Sequence, residues 1–143
     1  MPYRILEDAF TADVGFVACG ATLDECFAAA AEATLRVMLD NPAALQCREQ
    51  RQVQVEDDAL DLLLLRFLEE LVYHKDVGGW LLRPHGVHVT VDDRRWRVTA
   101  VLGGEAIDPA RHELAADVKG VTLHRLGVRR TATGWEATVV LDI

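Results

Sequence analysis

The sequence predicts an α+β fold, in which two amphipathic helices pack on a largely antiparallel, mixed sheet within one compact domain, residues 1–143. Two observations support this class. Two segments repeat apolar residues at helical spacing, and several shorter segments alternate apolar and polar residues as strands do. Elements of these two kinds close a core by packing helices against a sheet. Half of the 143 residues are hydrophobic, which is sufficient for one core.

The first predicted strand and helix are marked by clear local signals. Residues 14–18 form a short apolar run that is typical of a buried strand. Thr22 and Glu25 have the spacing of a capping box, in which the hydroxyl accepts a backbone N–H at the helix start and the carboxylate reaches back. Asn41-Pro42 ends the helix, because the residue before a proline avoids helical geometry.

A second strand and a second helix follow. Residues 51–55 alternate, with Val53 and Val55 on one face. Asp57 or Asp58 is the predicted cap of the second helix, whose leucines form a wide apolar stripe that ends at Gly78-Gly79.

Two hairpins are predicted for the second half of the chain. In the first, residues 87–91 and 96–100 alternate on either side of Asp92-Asp93. In the second, residues 121–130 and 135–141 form strands that are joined across 131–134.

The search for enzyme motifs is negative, so no catalytic residue is assigned. The chain contains no serine and no phosphate-binding Gly-x-x-x-x-Gly-Lys motif. His85 and His88 are three apart, which on a strand places them on opposite faces and prevents joint chelation. A formal net charge of −8 disfavours strong direct binding to nucleic acid, which depends on clustered Lys and Arg. We therefore expect a protein that is not an enzyme.

The cysteines and the termini predict a cytoplasmic location. The three cysteines lack C-x-x-C spacing, which indicates buried thiols in a reducing compartment rather than disulfides or a zinc site. The N-terminus lacks the apolar core of a signal peptide, and the Leu62 to Leu65 run is too short to span a bilayer, so no membrane association is expected.

Carboxylates near both ends of the chain form the main candidate site. Asp13 precedes the first apolar run, and Asp142 lies beside the terminal carboxylate of Ile143. If the ends meet, three hard oxygen anions converge and repel one another unless a cation lies between them. The alternative is that Asp13 starts a turn and Asp142 is a solvated tail residue, as isolated carboxylates usually are.

Four motifs along the chain resemble the archease family. They occur in the family's order and cover essentially the whole chain: Thr11-Ala12-Asp13-Val14-Gly15; Leu68-Glu69-Glu70-Leu71; Gly104-Glu105 with His112 and the run from Val118-Lys119-Gly120 to His124; and Val140-Leu141-Asp142-Ile143. Phe10 departs from the family pattern, which has histidine there, and Gly120 replaces the more frequent alanine.

The resemblance implies a function and a set of site residues. Members of the family are accessory proteins of the RNA-splicing ligase that joins a 3′-phosphate or 2′,3′-cyclic phosphate end to a 5′-hydroxyl. Asp13, Asp142 and Ile143 match the family's metal-binding positions, and the expected cofactor is a divalent cation, calcium first, with magnesium or manganese as alternatives. His112, Lys119 and His124 are candidate supporting or partner-contacting residues, with purely structural roles as the alternative. A small metal-dependent phosphoester hydrolase and a general chaperone-like protein remain the other interpretations.

Overall fold

The computed structural model describes residues 2–6 and 13–143; Met1 and residues 7–12 lie outside this description. The described residues form two α-helices, a short 3-10 helix at Pro42–Ala44 and eight strands. Their bounds, in chain order, are β1 Tyr3–Leu6, β2 Asp13–Gly20, α1 Leu23–Met38, β3 Glu49–Asp57, α2 Leu60–Gly78, β4 Trp80–Asp92, β5 Arg95–Ala106, β6 Gly120–Val121, β7 Gly127–Thr131 and β8 Gly134–Asp142.

The strands divide between two antiparallel sheets. The first sheet has the order β1-β2-β8-β6, with β7 also paired to β8, and the second has the order β3-β5-β4. Both sheets pack on the helices, and the core is anchored where the rings of Phe27 and Phe67 stack with centroids 6.0 Å apart. The α+β class is confirmed. The division into two sheets is a property of long-range pairing, which alternation within a strand does not encode.

The predicted capping box begins α1. The Thr22 hydroxyl accepts the backbone N–H of Glu25 at 3.1 Å, and the Glu25 carboxylate accepts that of Ala21 at 2.9 Å. The helix ends at Met38, ahead of the Asn41-Pro42 signal. The start of α1 therefore follows from local sequence, whereas its end coincides with a bridge between Leu39 and the distant Leu114.

The predicted cap of α2 was wrong by one or two residues. Ala59 occupies the cap position and offers no side-chain hydrogen bond. Asp57 instead accepts the N–H of Ala59 itself at 2.9 Å, so it fixes the approach to the helix rather than its first turn. At the other end, Gly79 follows Gly78 in the left-handed region with φ 67°, which is the predicted break.

The first hairpin, β4–β5, is longer than predicted and contains a bulge. Its turn is formed by Asp93 and Arg94, which have φ of 49° and 68°. The register shifts between Pro84 and Gly86, and this irregularity changes which face the intervening residue occupies.

The bulge places His85 over Gly103, where an added Cβ would come within 2.6 Å of its ring. His88 pairs with Thr99, which lies four residues before Gly103 in β5 and therefore faces the same side of the sheet. The two histidines therefore share a face, and the prediction of opposite faces was wrong.

The strand predicted over residues 121–130 is interrupted. Only Gly120–Val121 and Gly127–Thr131 pair with β8, and Arg125 between them has φ 55°, which a strand cannot accommodate. The apolar residues of this stretch predicted a continuous strand, but the backbone leaves the sheet and returns to it.

The cysteines depart from the prediction of buried thiols. Cys26 is buried, and burial, followed by the nearby acidic groups Cys19 and Glu136, raises its pKa to about 12. Cys19 and Cys47 are exposed. Within residues 2–6 and 13–143, no helix is long and apolar enough to cross a membrane.

A candidate carboxylate site on the outer face of the first sheet

Asp13 and Asp142 are direct cross-strand partners in the pairing of β2 with β8. Partners in an antiparallel pair have Cα atoms about 4.5–5.5 Å apart and carry their side chains on the same face. The structure thus brings together the two aspartates that the sequence places 129 positions apart, so the condition on which the cation-site hypothesis depends is met for these two residues.

The core determines which face carries the two carboxylates. Phe16 pairs with Val139, and both are completely buried on the helix-covered face of the sheet. Because facing alternates along a strand, Asp13 and Asp142 lie on the opposite face, which we call the outer face. A shift of one residue in either strand would turn the aspartate of that strand toward the core and its core-facing apolar residues outward, so the burial of Phe16 and Val139 favours this register.

The short strand β6 borders the same site. Gly120 pairs with Asp142 on the side away from Asp13, and the Lys119 N–H donates to the Asp142 carbonyl oxygen at 2.7 Å. A Cβ built on Gly120 would meet no atom within 4 Å. The outer face is therefore open beside Asp142, and the glycine adds no bulk there.

The two carboxylates have no cationic partner in the described part of the chain. Neither side chain takes part in an ion pair or a hydrogen bond there. Two carboxylates at this spacing repel each other, and a bound cation removes the repulsion.

The donor set fits a hard cation. Carboxylate oxygens are the ligands that calcium, magnesium and manganese prefer. The side chain of Ile143 packs against the core, which holds the end of β8 in place next to Asp142. Among residues 2–6 and 13–143, no group of three or more His, Cys, Asp or Glu side chains is arranged to hold a metal.

Lys119 lies on the other side of the sheet from the two aspartate side chains. It precedes Gly120 by one residue, so its side chain is directed toward α2. There it lines a surface cleft together with Arg66, Glu69 and Tyr73. Only the backbone of Lys119 touches the carboxylate site.

His112 is buried and fully hydrogen-bonded. Its Nδ1 accepts the Asp108 N–H at 2.8 Å, and its Nε2 lies 3.0 Å from a carboxylate oxygen of Glu105. Since Nδ1 accepts, Nε2 carries the proton and donates it to Glu105. With 3% of its surface exposed, His112 fits the structural alternative better than a partner contact.

Glu105 is the centre of a buried polar cluster that sequence reasoning did not single out as functional. One carboxylate oxygen binds Arg111 and lies 3.2 Å from Arg48, and the other accepts the Gln46 N–H at 2.8 Å. Burial raises the pKa of the Glu105 carboxyl, but the hydrogen bonds outweigh it. The bonds from Arg111, Gln46 and His112 together hold this pKa down at about 2.

This cluster anchors one end of the loop 107–119, which leads into β6. The loop is also tied to the end of α1, where the Ala115 N–H donates to the Met38 carbonyl at 2.9 Å. At its far end Lys75 donates to the Val118 carbonyl at 2.6 Å. The loop therefore holds β6, and with it the border of the carboxylate site, in a fixed position.

The remaining predicted residues lie elsewhere. His124 is exposed in the turn between β6 and β7, where its N–H donates to the Thr122 hydroxyl at 3.2 Å. Phe10, at which the chain departs from the family pattern, lies outside the described residues.

The fold and the paired aspartates define a small α+β protein with a candidate cation site where β2 meets the end of β8. Comparison with known proteins identifies its family. The model of the Archease protein family (MTH1598/TM1083) matches residues 3–143. The chain belongs to the archease family.

Individual relatives agree with this assignment. Protein archease of Pyrococcus abyssi is 35% identical over 134 residues, which cover 93% of this chain and 94% of that protein. Protein archease of Methanopyrus kandleri is 31% identical over 143 residues and the full length of both. The solution structure of Methanobacterium thermoautotrophicum protein 1598 superimposes with a TM-score of 0.85 at 29% identity, covering 99% of each chain.

A more distant structure shows the fold alone. The crystal structure of an archease from Thermotoga maritima, described as a possible chaperone, has a TM-score of 0.57 at 15% identity and covers 94% of this chain and 93% of its own.

Proposed function

We propose that this chain is an accessory protein of the RNA ligase that joins 3′-phosphate or 2′,3′-cyclic phosphate ends to 5′-hydroxyl ends. In this role it promotes guanylylation of the ligase and allows multiple turnovers, in tRNA splicing or RNA repair. The observation that carries the proposal is the direct pairing of Asp13 with Asp142, the two positions for which the resemblance to the archease family implies metal binding. The chain belongs to that family.

The carboxylate site supplies the chemical part of this role. Asp13, Asp142 and the terminal carboxylate of Ile143 would hold a divalent cation, calcium first, with magnesium or manganese as alternatives. A bound cation would offset negative charge on phosphate groups at the ligase site. The chain's own contribution is to fix two carboxylates on a rigid sheet, on a face that is open beside Gly120.

The partner is the ligase rather than the RNA. A net charge of −8 opposes approach to a phosphate backbone, because such affinity comes from clustered cations that release counterions. An accessory protein that docks on another protein has no such requirement.

A general chaperone-like role is a second candidate, which the description of the Thermotoga maritima archease favours. In that case the aspartates are structural, and the chain protects unrelated unfolded proteins as well as the ligase. Suppression of heat aggregation of an unrelated enzyme separates the two roles, since a dedicated ligase partner leaves that aggregation unchanged.

The direct test is ligation of an RNA with 3′-phosphate and 5′-hydroxyl ends under limiting cognate ligase. We expect wild-type protein to raise the number of turnovers per ligase, and Asp142→Asn to lose this effect. Asp92→Asn is the matched control, because Asp92 is an exposed aspartate at the end of a strand remote from the site. Equal turnover with and without the protein, or full activity of Asp142→Asn, contradicts the proposal.

A further inference from the structure

Helix α2 presents a single exposed stripe on its outward surface. Between residues 62 and 73 the exposed positions are Leu62, Arg66, Glu69 and Tyr73. Their spacing of four, three and four residues keeps all four side chains on one side of an α-helix. Leu62 and Tyr73 are large residues with 37% and 56% of their surface exposed, so an apolar group lies at each end of the stripe and a charged pair in its middle.

The stripe is complementary to itself when it is read in the opposite direction. The 4-3-4 spacing is symmetric, so an antiparallel copy of the helix places Leu62 opposite Tyr73. The same alignment places Arg66 opposite Glu69. Contact residues spaced alternately by three and four positions are typical of two helices that pack side by side, and here each facing pair of residues forms one layer of the contact. Apolar groups meet apolar groups, and each cation meets an anion.

We propose that two copies of this chain associate through antiparallel packing of their α2 helices. The two-fold axis passes between the central layers, so the pair contains two Arg66–Glu69 contacts flanked by two Leu62–Tyr73 contacts. Arg66 already binds Asp57 through its Nε, at 2.8 Å. Its side chain remains 58% exposed, which leaves the terminal guanidinium nitrogens available to a second carboxylate.

The overall acidity of the chain does not prevent this association. Each copy carries a net charge of −8, but in physiological salt charges separated by more than about 8 Å are largely screened. The charges that face each other in the contact are Arg66 and Glu69, with Glu70 and Lys119 beside them on the cleft. The favourable pairs are therefore the closest ones.

The proposed contact covers the cleft between α2 and Lys119, which Gly120 also lines. The side chains of Asp13 and Asp142 lie on the outer face of the first sheet, opposite the face on which α2 packs. Sedimentation measures association through α2 without the ligase, so this proposal and the ligase proposal can be tested separately.

Sedimentation equilibrium of the 143-residue chain, over a range of concentrations in physiological salt, tests the proposal. We expect a concentration-dependent dimer. Arg66→Glu and Glu69→Arg each place like charges in both central layers, and each should weaken self-association by about ten-fold or more. An equimolar mixture of the two variants should dimerise again. In the mixed pair the introduced glutamate faces the introduced arginine, and the native Glu69 of one variant faces the native Arg66 of the other.

Arg129→Glu is the matched control. It makes the same change in net charge as Arg66→Glu and also breaks an exposed ion pair, with Glu136 at 2.7 Å. Arg129 pairs with Glu136, and Glu136 pairs with Cys19, so the Arg129 side chain lies on the outer face of the first sheet, opposite the face on which α2 packs. It should dimerise as the wild type does. A monomeric wild type at every concentration, dimers that persist in both α2 variants, or a mixture that stays monomeric overturns the proposal. The double variant Arg66→Glu/Glu69→Arg should dimerise alone, which excludes misfolding as the cause of the single-variant results.

Discussion

Replacement of Glu105 by glutamine removes the charge at the centre of the buried cluster and keeps the shape of the side chain. The carboxylate is 2% exposed and accepts hydrogen bonds from Arg111, His112 and the Gln46 backbone. A glutamine amide can accept only through its one oxygen, so its NH2 group must face a donor. The substitution therefore leaves at least one buried donor without an acceptor.

The expected loss of stability is about 3 kcal/mol. Hydrogen bonds to a buried charged group contribute about 1.5–3 kcal/mol each, and breaking a buried ion pair from one side costs about 3–5 kcal/mol. The lower part of this range applies, because the side chains of Arg111 and Arg48 are 35% and 63% exposed. After the substitution their guanidinium groups can form hydrogen bonds with solvent instead. For a chain of this length the melting temperature should fall by about 10 °C.

The pH dependence gives a second readout. The unfolded carboxyl has the ordinary pKa of 4.5, and the folded one has a pKa of about 2. Because the folded carboxyl binds its proton more weakly, its contribution to the free energy of unfolding is complete above the unfolded pKa. The contribution is lost as pH falls through the folded pKa. The stability difference between wild type and Glu105→Gln should therefore narrow as pH is lowered through this window.

Urea unfolding of both proteins, from neutral pH to about pH 2, measures both effects. Glu113→Gln is the control, since Glu113 is an exposed carboxylate on the same loop and its replacement should change stability by less than about 0.5 kcal/mol. Equal stability of Glu105→Gln and wild type at neutral pH, or a difference that does not vary with pH, refutes the reasoning.

Three further predictions follow from local geometry. Thr22→Ala removes the cap of α1 and should lower the free energy of unfolding by about 1 kcal/mol in a urea titration. Gly79→Ala forces a side chain into the left-handed region where no neighbour clashes, so the loss should be backbone strain alone, about 1–2 kcal/mol. Maleimide should modify Cys19 and Cys47 in the native protein and spare Cys26 until it unfolds, as mass spectrometry of the labelled peptides would show; rapid native labelling of Cys26 would contradict its burial.

The local signals in the sequence predicted both helices, although not the cap residue of α2. The Thr22 capping box and the Gly79 break act within a few residues, so they are visible without knowledge of the fold. The meeting of Asp13 with Asp142 was only a condition of the cation-site hypothesis, because alternation predicts which way a side chain faces but does not predict which strand pairs with which.

The features that were missed depend on contacts distant in sequence. Gln46 and Glu105 are separated by 59 positions. No local sequence pattern predicts that the Glu105 carboxylate is enclosed by the segment around Gln46 and by the loop 107–119. The bulge at His85 and the interruption at Arg125 are backbone irregularities. Such irregularities alter the side of the sheet toward which the following side chains point, but they leave no mark in the residue types. The alternation of apolar and polar residues therefore predicted regular strands.

Calcium titration by isothermal calorimetry tests the central claim most directly, namely that Asp13 and Asp142 form one cation site. The wild-type protein should bind one calcium ion per chain. Asp13→Asn and Asp142→Asn, which keep the side-chain shape and remove one negative charge each, should abolish this binding, and Asp92→Asn should retain it. No heat of binding with wild type for calcium, magnesium or manganese, or binding that survives both substitutions, would contradict the claim.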